Sequence, residues 1–262
     1  MVNMKIQYLL FLLIALLIGC RTIELKSYWR DQEIKIDGES NEWEGKTWML
    51  EDIKNVQFGF INDQDFLYLL LATSDRALQR QIAFRGLTIW FDREGGNEKR
   101  FGIHYPIPMM KFESMGQRMT RTENERGRDT TFSFPEKFSD ELDIYGPMEN
   151  EHSRLRMQET GGIEIALHNS QGLLVYEMKV PLTDKGPQPY VVGALAGSII
   201  GIGVETMSDE FGGRPSERSM GGDVMGGGFG GRRGFGPPGG RHEMNKPLKL
   251  WAKLELAASN SK

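Results

Sequence analysis

Apolar residues recur along this chain mostly with a period of two. Val56, Phe58 and Phe60 alternate with polar or small residues, Asn62, Asp63, Gln64 and Asp65 break the run, and residues 66–72 are almost continuously apolar. The first stretch has the alternation of a half-buried strand, the last that of a strand buried on both faces, so residues 55–72 predict a hairpin. Residues 86–92 predict a strand ending in a turn at 94–97, with residues 100–105 as its partner. Trp90 and Phe91 are consecutive in it, so their rings face opposite sides of the sheet, one to the core and one to a candidate surface groove. Further strands are expected over 33–36, 154–158, 163–168, 173–180, 199–205 and 248–256, and one short helix over 75–84, from Ala77, Leu78 and Ile82. Strands at this spacing, joined by Gly, Asn, Asp and Pro turns without helix–strand alternation, predict an all-β, antiparallel, jelly-roll-like β-sandwich with long loop insertions.

Two stretches interrupt the alternation. Residues 109–131 are rich in Met, Arg and Glu without a clean period and read as a solvated insertion or a marginal helix. Residues 208–246 carry a glycine-rich segment, 211–240, with Phe and Arg between the glycines. Glycine loses the most backbone entropy on ordering, and few apolar groups are present to offset that, so a long loop is expected. Its Gly-Gly-Gly-Phe-Gly-Gly run at 226–231 lacks the Lys-Ser/Thr ending and the strand-to-helix setting of a phosphate loop. Residues 33–256 are read as one sandwich holding both insertions, with a linker at 20–32 and a tail at 257–262.

The first twenty residues have a different pattern. Lys5 precedes an apolar run over 8–18, which is short of the roughly 20 residues a spanning helix needs, and Leu17, Ile18, Gly19 and Cys20 close it. These four residues resemble the bacterial lipobox. The resemblance implies removal of residues 1–19 as a signal peptide, lipidation of Cys20 and attachment to a membrane through that lipid. Arg21 in place of Asp favours the outer membrane over the inner.

Cysteine count and charge then narrow the chemistry. Cys20 is the only cysteine, so its acylation leaves no thiol for a disulfide, a nucleophile or a thiolate-bound metal. A net charge of −4 argues against a nucleic-acid partner, which calls for a basic surplus. His104, His152, His168 and His242 form no His-Glu-x-x-His pair, and no Gly-x-Ser-x-Gly elbow occurs. Asp92, Glu94, Asn97 and Glu98 gather oxygen ligands near one hairpin as candidates for calcium, although the same residues are ordinary in hairpin turns.

Asp37, Gly38 and Glu39 followed by Glu42 and Trp43, the Leu67-Tyr68-Leu69 strand, the 86–92 strand and the late strands together resemble the family-nine carbohydrate-binding module and its DOMON-like relatives. The resemblance runs over residues 33–256. It implies a non-catalytic sandwich that binds glycan in polysaccharide breakdown or uptake at the cell envelope. Trp43 and Tyr68 are expected in the core. Family members that grip sugar ends use two tryptophans. Here Phe84 stands in the first neighbourhood, and Phe229 and Phe235 stand in the second. With Trp90 and Asp92 these are the candidate ligand-binding residues. Two alternatives stay open: an envelope protein partner held by the Gly/Arg/Phe-rich loop, and haem, which some DOMON-like relatives hold through Met, His or Lys.

Overall fold

The computed structural model describes residues 22–50, 53, 55–107, 134–135, 137–146, 151–184, 189–206 and 247–259. The chain is an all-β sandwich. In chain order the strands are β1 (Ile23–Lys26), β2 (Tyr28–Trp29), β3 (Thr47–Met49), β4 (Val56–Asn62) and β5 (Phe66–Thr73), then helix α1 (Arg76–Arg85), then β6 (Leu87–Asp92) and β7 (Phe101–Tyr105). They continue as β8 (Glu141–Tyr145), β9 (His152–Arg156), β10 (Glu164–Ser170), β11 (Leu173–Pro181), β12 (Ile199–Thr206) and β13 (Lys249–Glu255). Among the described residues one sheet has the order β1-β13-β12-β6-β7-β8-β9 and the other β10-β11-β5-β4-β2, with β3 also on β4. Pairing is antiparallel except for β1 on β13 and β2 on β4.

The period of two decides what lies between the sheets. Val56, Phe58 and Phe60 of β4 and Leu67, Leu69 and Leu71 of β5 meet Leu87, Ile89 and Phe91 of β6, Ile103 of β7 and Ile200, Ile202 and Val204 of β12 in one core. Each fully buried side chain of this size contributes about 1.5–3 kcal/mol of transfer free energy. The hairpin expected over 55–72 is β4–β5. The 86–92 and 100–105 strands are β6 and β7. Helix α1 starts where Asp75 accepts hydrogen bonds from the backbone N–H groups of Ala77 and Leu78 at 2.7 and 3.2 Å, and ends where Gly86, at φ +75°, donates to the Ile82 carbonyl.

The outer face of the six-stranded sheet is covered. Ile61, Tyr68, Leu70, Ala72 and Val175 pack under Ile34 and Trp43, with Ile36 and Phe66 beside them. Trp43 and Tyr68 are buried as the sequence predicts. The 33–36 segment differs from its expectation. Its alternation is real, since Ile34 and Ile36 point onto this sheet, but it joins no strand ladder. A chain laid across a sheet face shows the same apolar alternation as a strand, so period alone does not separate the two.

Residues 23–29, expected in a linker, instead tie the two sheets together. The chain leaves the edge of one sheet as β1 and joins the edge of the other as β2. At the crossing, Ser27 donates to the Asn62 side-chain oxygen, which also accepts from the Ala257 backbone N–H at 2.9 Å. The Asn62 amide donates to the Ala257 carbonyl at 3.0 Å. Strand β8 was also absent from the expected elements.

Candidate functional site

Among the described residues the outer face of the seven-stranded sheet carries no apolar layer like that on the other sheet, and its residues follow from strand parity, although Thr88, Asp92, His104 and Asp143 on it are themselves buried. With Leu87, Ile89 and Phe91 in the core, Thr88, Trp90 and Asp92 of β6 point outward. The same rule turns out Gly102 and His104 of β7, Asp143 and Tyr145 of β8, His152 and Arg154 of β9, Gly203 and Glu205 of β12, and Trp251 of β13. Trp90, Tyr145 and Trp251 are half-buried and His152 is exposed.

The register places four rings in one line. Trp251 is opposite Gly203, Gly203 opposite Trp90, Trp90 opposite Gly102, Gly102 opposite Tyr145, and Tyr145 opposite His152. The row thus crosses β13, β12, β6, β7, β8 and β9 in register. Both glycines are required by the rings beside them. A Cβ on Gly203 would come within 2.7 Å of the Trp251 indole, and one on Gly102 within 2.5 Å of the Trp90 indole. Each indole therefore leans sideways over the neighbouring strand, and both lean the same way. Trp90 leans towards Tyr145, with ring centroids 5.4 Å apart, and Tyr145 stacks on His152 at 4.9 Å and 15°. Such contacts are worth about 0.5–1.5 kcal/mol each beyond area burial.

A polar row runs beside the aromatic one. Thr88 Oγ1 and His104 Nδ1 are 2.9 Å apart. Arg154 grips Asp143 through Nε–Oδ1 at 2.7 Å and Nη2–Oδ2 at 2.9 Å, and His152 Nε2 reaches Asp143 Oδ1 at 3.3 Å. Lys99 forms an ion pair with Glu205 and lies over the Trp90 ring, 5.1 Å from its centroid. Burial pushes His104 down to about 4, so this imidazole is neutral at pH 7. Burial works to raise the Asp143 carboxyl, but the bonded Arg154 guanidinium outweighs it and holds the pKa below the ordinary aspartate value. The Trp90 indole N–H is buried and has no hydrogen-bond acceptor among the described residues.

The sequence-derived candidates fall in different places. Trp90 faces outward and Phe91 inward, as the alternation predicts. Phe84 lies half-buried on α1 and is not part of the row. Asp92 is 1% exposed and closes a turn, accepting from the backbone N–H groups of Glu94 and Glu98 at 3.1 Å each. Glu94 and Glu98 converge on the Arg100 guanidinium at 2.7 and 2.8 Å. Asn97 is exposed. Among the described residues no group of three or more His, Cys, Asp or Glu is placed to hold a metal ion. Phe229, Phe235, Cys20 and the two insertions lie outside the described residues.

Sequence reading missed Trp251, Tyr145 and His152 as members of a site. Tyr145 had a visible signal, since Leu142 and Ile144 alternate with Asp143 and Tyr145. The glycines at 102 and 203 acquire meaning only once the register sets them opposite tryptophans.

No protein-family model matches this chain, and no curated protein matches it. Among solved structures it is similar to a family 9 carbohydrate-binding module from Caldicellulosiruptor kristjanssonii in complex with glucose, at 11% identity over 70% of this chain and 76% of that chain, with a TM-score of 0.33. The same organism's module in complex with cellotriose is similar at 14% identity over 70% and 74% of the two chains, with a TM-score of 0.33. A Bacteroides uniformis ATCC 8492 protein, provisionally described as carbohydrate-binding, is similar at 11% identity over 72% and 85%, with a TM-score of 0.39.

Proposed function

We propose that this chain is a non-catalytic glycan-binding domain of the cell envelope and that the outer face of its seven-stranded sheet is the binding face. The observation that carries the reading is the in-register line Trp251, Trp90, Tyr145 and His152 with glycines between. The C–H faces of a pyranose are apolar and pack on aromatic planes, while its hydroxyls need donors and acceptors at the rim. The Asp143–Arg154–His152 cluster and the Lys99–Glu205 pair supply both beside the rings. Binding without hydrolysis is supported by the state of Asp143. Asp143 is held ionised by Arg154, so it does not offer the proton a general acid must give.

The direct test is affinity electrophoresis in gels containing soluble glucan, xylan, mannan or galactan, run with the wild type and with Trp90→Ala and Trp251→Ala. Retardation of the wild type by at least one polysaccharide, lost in both variants, is expected. A folded wild type unretarded by all four, or variants retarded as strongly as the wild type, removes the reading. Tethering through a lipid on Cys20, with the outer membrane favoured by Arg21, belongs to the same proposal and is supported by the lipobox resemblance at residues 17–20. Mass spectrometry of the protein extracted from membranes is expected to find the acylated N-terminus at Cys20. Cys20→Ser is expected to release the chain from the membrane fraction.

A further inference from the structure

We infer, resting on the glycan-binding reading above, that the sheet face takes the interior of an extended glycan laid across the strands, rather than gripping a chain end. The ligand class is a linear polysaccharide whose successive sugars present their C–H faces to one side.

Three features of the row point this way. The first is its length. From β13 to β9 it crosses five inter-strand spacings, about 24 Å at 4.7–4.9 Å each. That is several times the breadth of one pyranose ring, so a single terminal sugar leaves most of the row uncovered.

The second is ring orientation. Two rings facing each other across a slot would enclose a single sugar between their planes. Here both indoles lean in the same direction, Trp251 over Gly203 and Trp90 over Gly102. They tilt the same way along the row and present like-facing surfaces to successive units of one chain.

The third is the polar row. Glu205, Thr88, His104, Asp143 and Arg154 are likewise in register with one another across β12, β6, β7, β8 and β9. It runs parallel to the rings, with Lys99 held at Glu205 and Arg154 at Asp143. Thr88, His104 and Asp143 are buried, and the two exposed charged groups, Lys99 and Arg154, stand apart along the row rather than together at one end.

The test is calorimetry on the full chain with cello-, xylo-, manno- and galacto-oligosaccharides, from the monosaccharide to the hexasaccharide, each also reduced to its alditol. For whichever series binds, affinity is expected to climb with each added sugar, the hexasaccharide exceeding the monosaccharide by roughly tenfold or more. Reduction of the terminal sugar is expected to leave hexasaccharide affinity unchanged. His152→Ala and Trp251→Ala, at opposite ends of the row, are each expected to weaken the hexasaccharide more than the disaccharide. Monosaccharide binding as tight as hexasaccharide binding, or loss of binding on reduction, overturns this inference and leaves the glycan-binding reading standing. Absence of binding in every series, together with no retardation by the polysaccharides, removes both.

Discussion

The indole N–H of Trp43 donates to the Glu177 carboxylate at 2.6 Å, joining residues 134 apart in sequence. Glu177 is fully buried, and its other oxygen accepts from the backbone N–H groups of Gly38 at 2.7 Å and Asp37 at 3.1 Å. One carboxylate on β11 therefore holds down the whole segment that covers the outer face of the six-stranded sheet. Trp43→Phe preserves most of the packing over Gly59 but removes one of the three donors. It is expected to destabilise the fold by about 1–3 kcal/mol, the cost of a buried acceptor left short of partners. Urea unfolding of the two proteins checks this, and an unchanged midpoint would show that the clasp contributes nothing.

Two buried titrating groups pull the pH dependence of stability in opposite directions. Burial pushes Glu177 up to about 7 against its three donors, from an ordinary 4.5. The folded state then holds that proton more tightly than the unfolded chain, so its contribution is complete below about pH 4.5 and declines as pH rises towards 7. His104 is lowered from 6.5 to about 4 by burial. Its folded state resists protonation, so its contribution is complete above about pH 6.5 and declines as pH falls towards 4. Between pH 4.5 and 6.5 the two slopes oppose, each at most about 1.4 kcal/mol per pH unit. Wild-type stability is expected to vary little in that window from these two groups. Glu177→Gln is expected to become more stable as pH rises from 4 to 6.5, and His104→Gln less stable as pH rises from 4.5 to 7. The slope is the readout, because either substitution also shifts absolute stability. Parallel profiles for all three proteins would contradict both assignments.

The elements legible in the sequence are those whose pattern reflects local pairing. The β4–β5 hairpin and the β6–β7 hairpin are each built from adjacent runs, and parity alone put Phe91 inside and Trp90 outside. Strand β1 gave no such signal, because its partner β13 lies at the other end of the chain. The 33–36 segment gave a false one, because Ile34 and Ile36 alternate to follow a sheet surface without entering a ladder. The aromatic row is a product of register across six strands. Trp251 and Tyr145 come together only after β12, β6 and β7 have been placed between them, and no local window contains that information. Trp43, by contrast, was readable as core, yet its hydrogen-bond partner on β11 was not.

Gly102 offers a sharper probe of the row than removing a tryptophan. Its backbone is not in the left-handed region, so alanine adds no backbone strain, but the new Cβ would stand 2.5 Å from the Trp90 ring. The ring must lift from β7 and lose its lean towards Tyr145. Gly102→Ala is expected to change the near-ultraviolet tryptophan circular dichroism and to weaken polysaccharide binding roughly tenfold. Global stability is expected to fall by about 1–3 kcal/mol, the usual cost of forcing a packed side chain to move, with the fold retained. Unaltered circular dichroism with unaltered binding would mean that the leaning ring is not part of the binding surface.

Arg154 has two separable duties, orienting Asp143 and presenting a guanidinium at the end of the row. Removing it leaves Asp143, 5% exposed, with His152 as its remaining ion-pair partner among the described residues, and burial then acts on the carboxyl with far less opposition. Arg154→Met is expected to cost about 1–2 kcal/mol of stability and to move the acid limb of the stability profile to higher pH, because Asp143 protonates earlier as pH falls. Asp143→Asn keeps the guanidinium and removes the charge that fixes it, so it is expected to retain most glycan affinity. The double variant lacks both the charge and its partner, and is expected to be more stable than Arg154→Met alone. If Arg154 acts only as a brace for Asp143, binding in the double variant recovers along with stability. If it also contacts the sugar, stability recovers and binding does not. Calorimetry and urea unfolding on the same four proteins separate these outcomes, and the presence of Arg154 beside the exposed His152 ring favours the second.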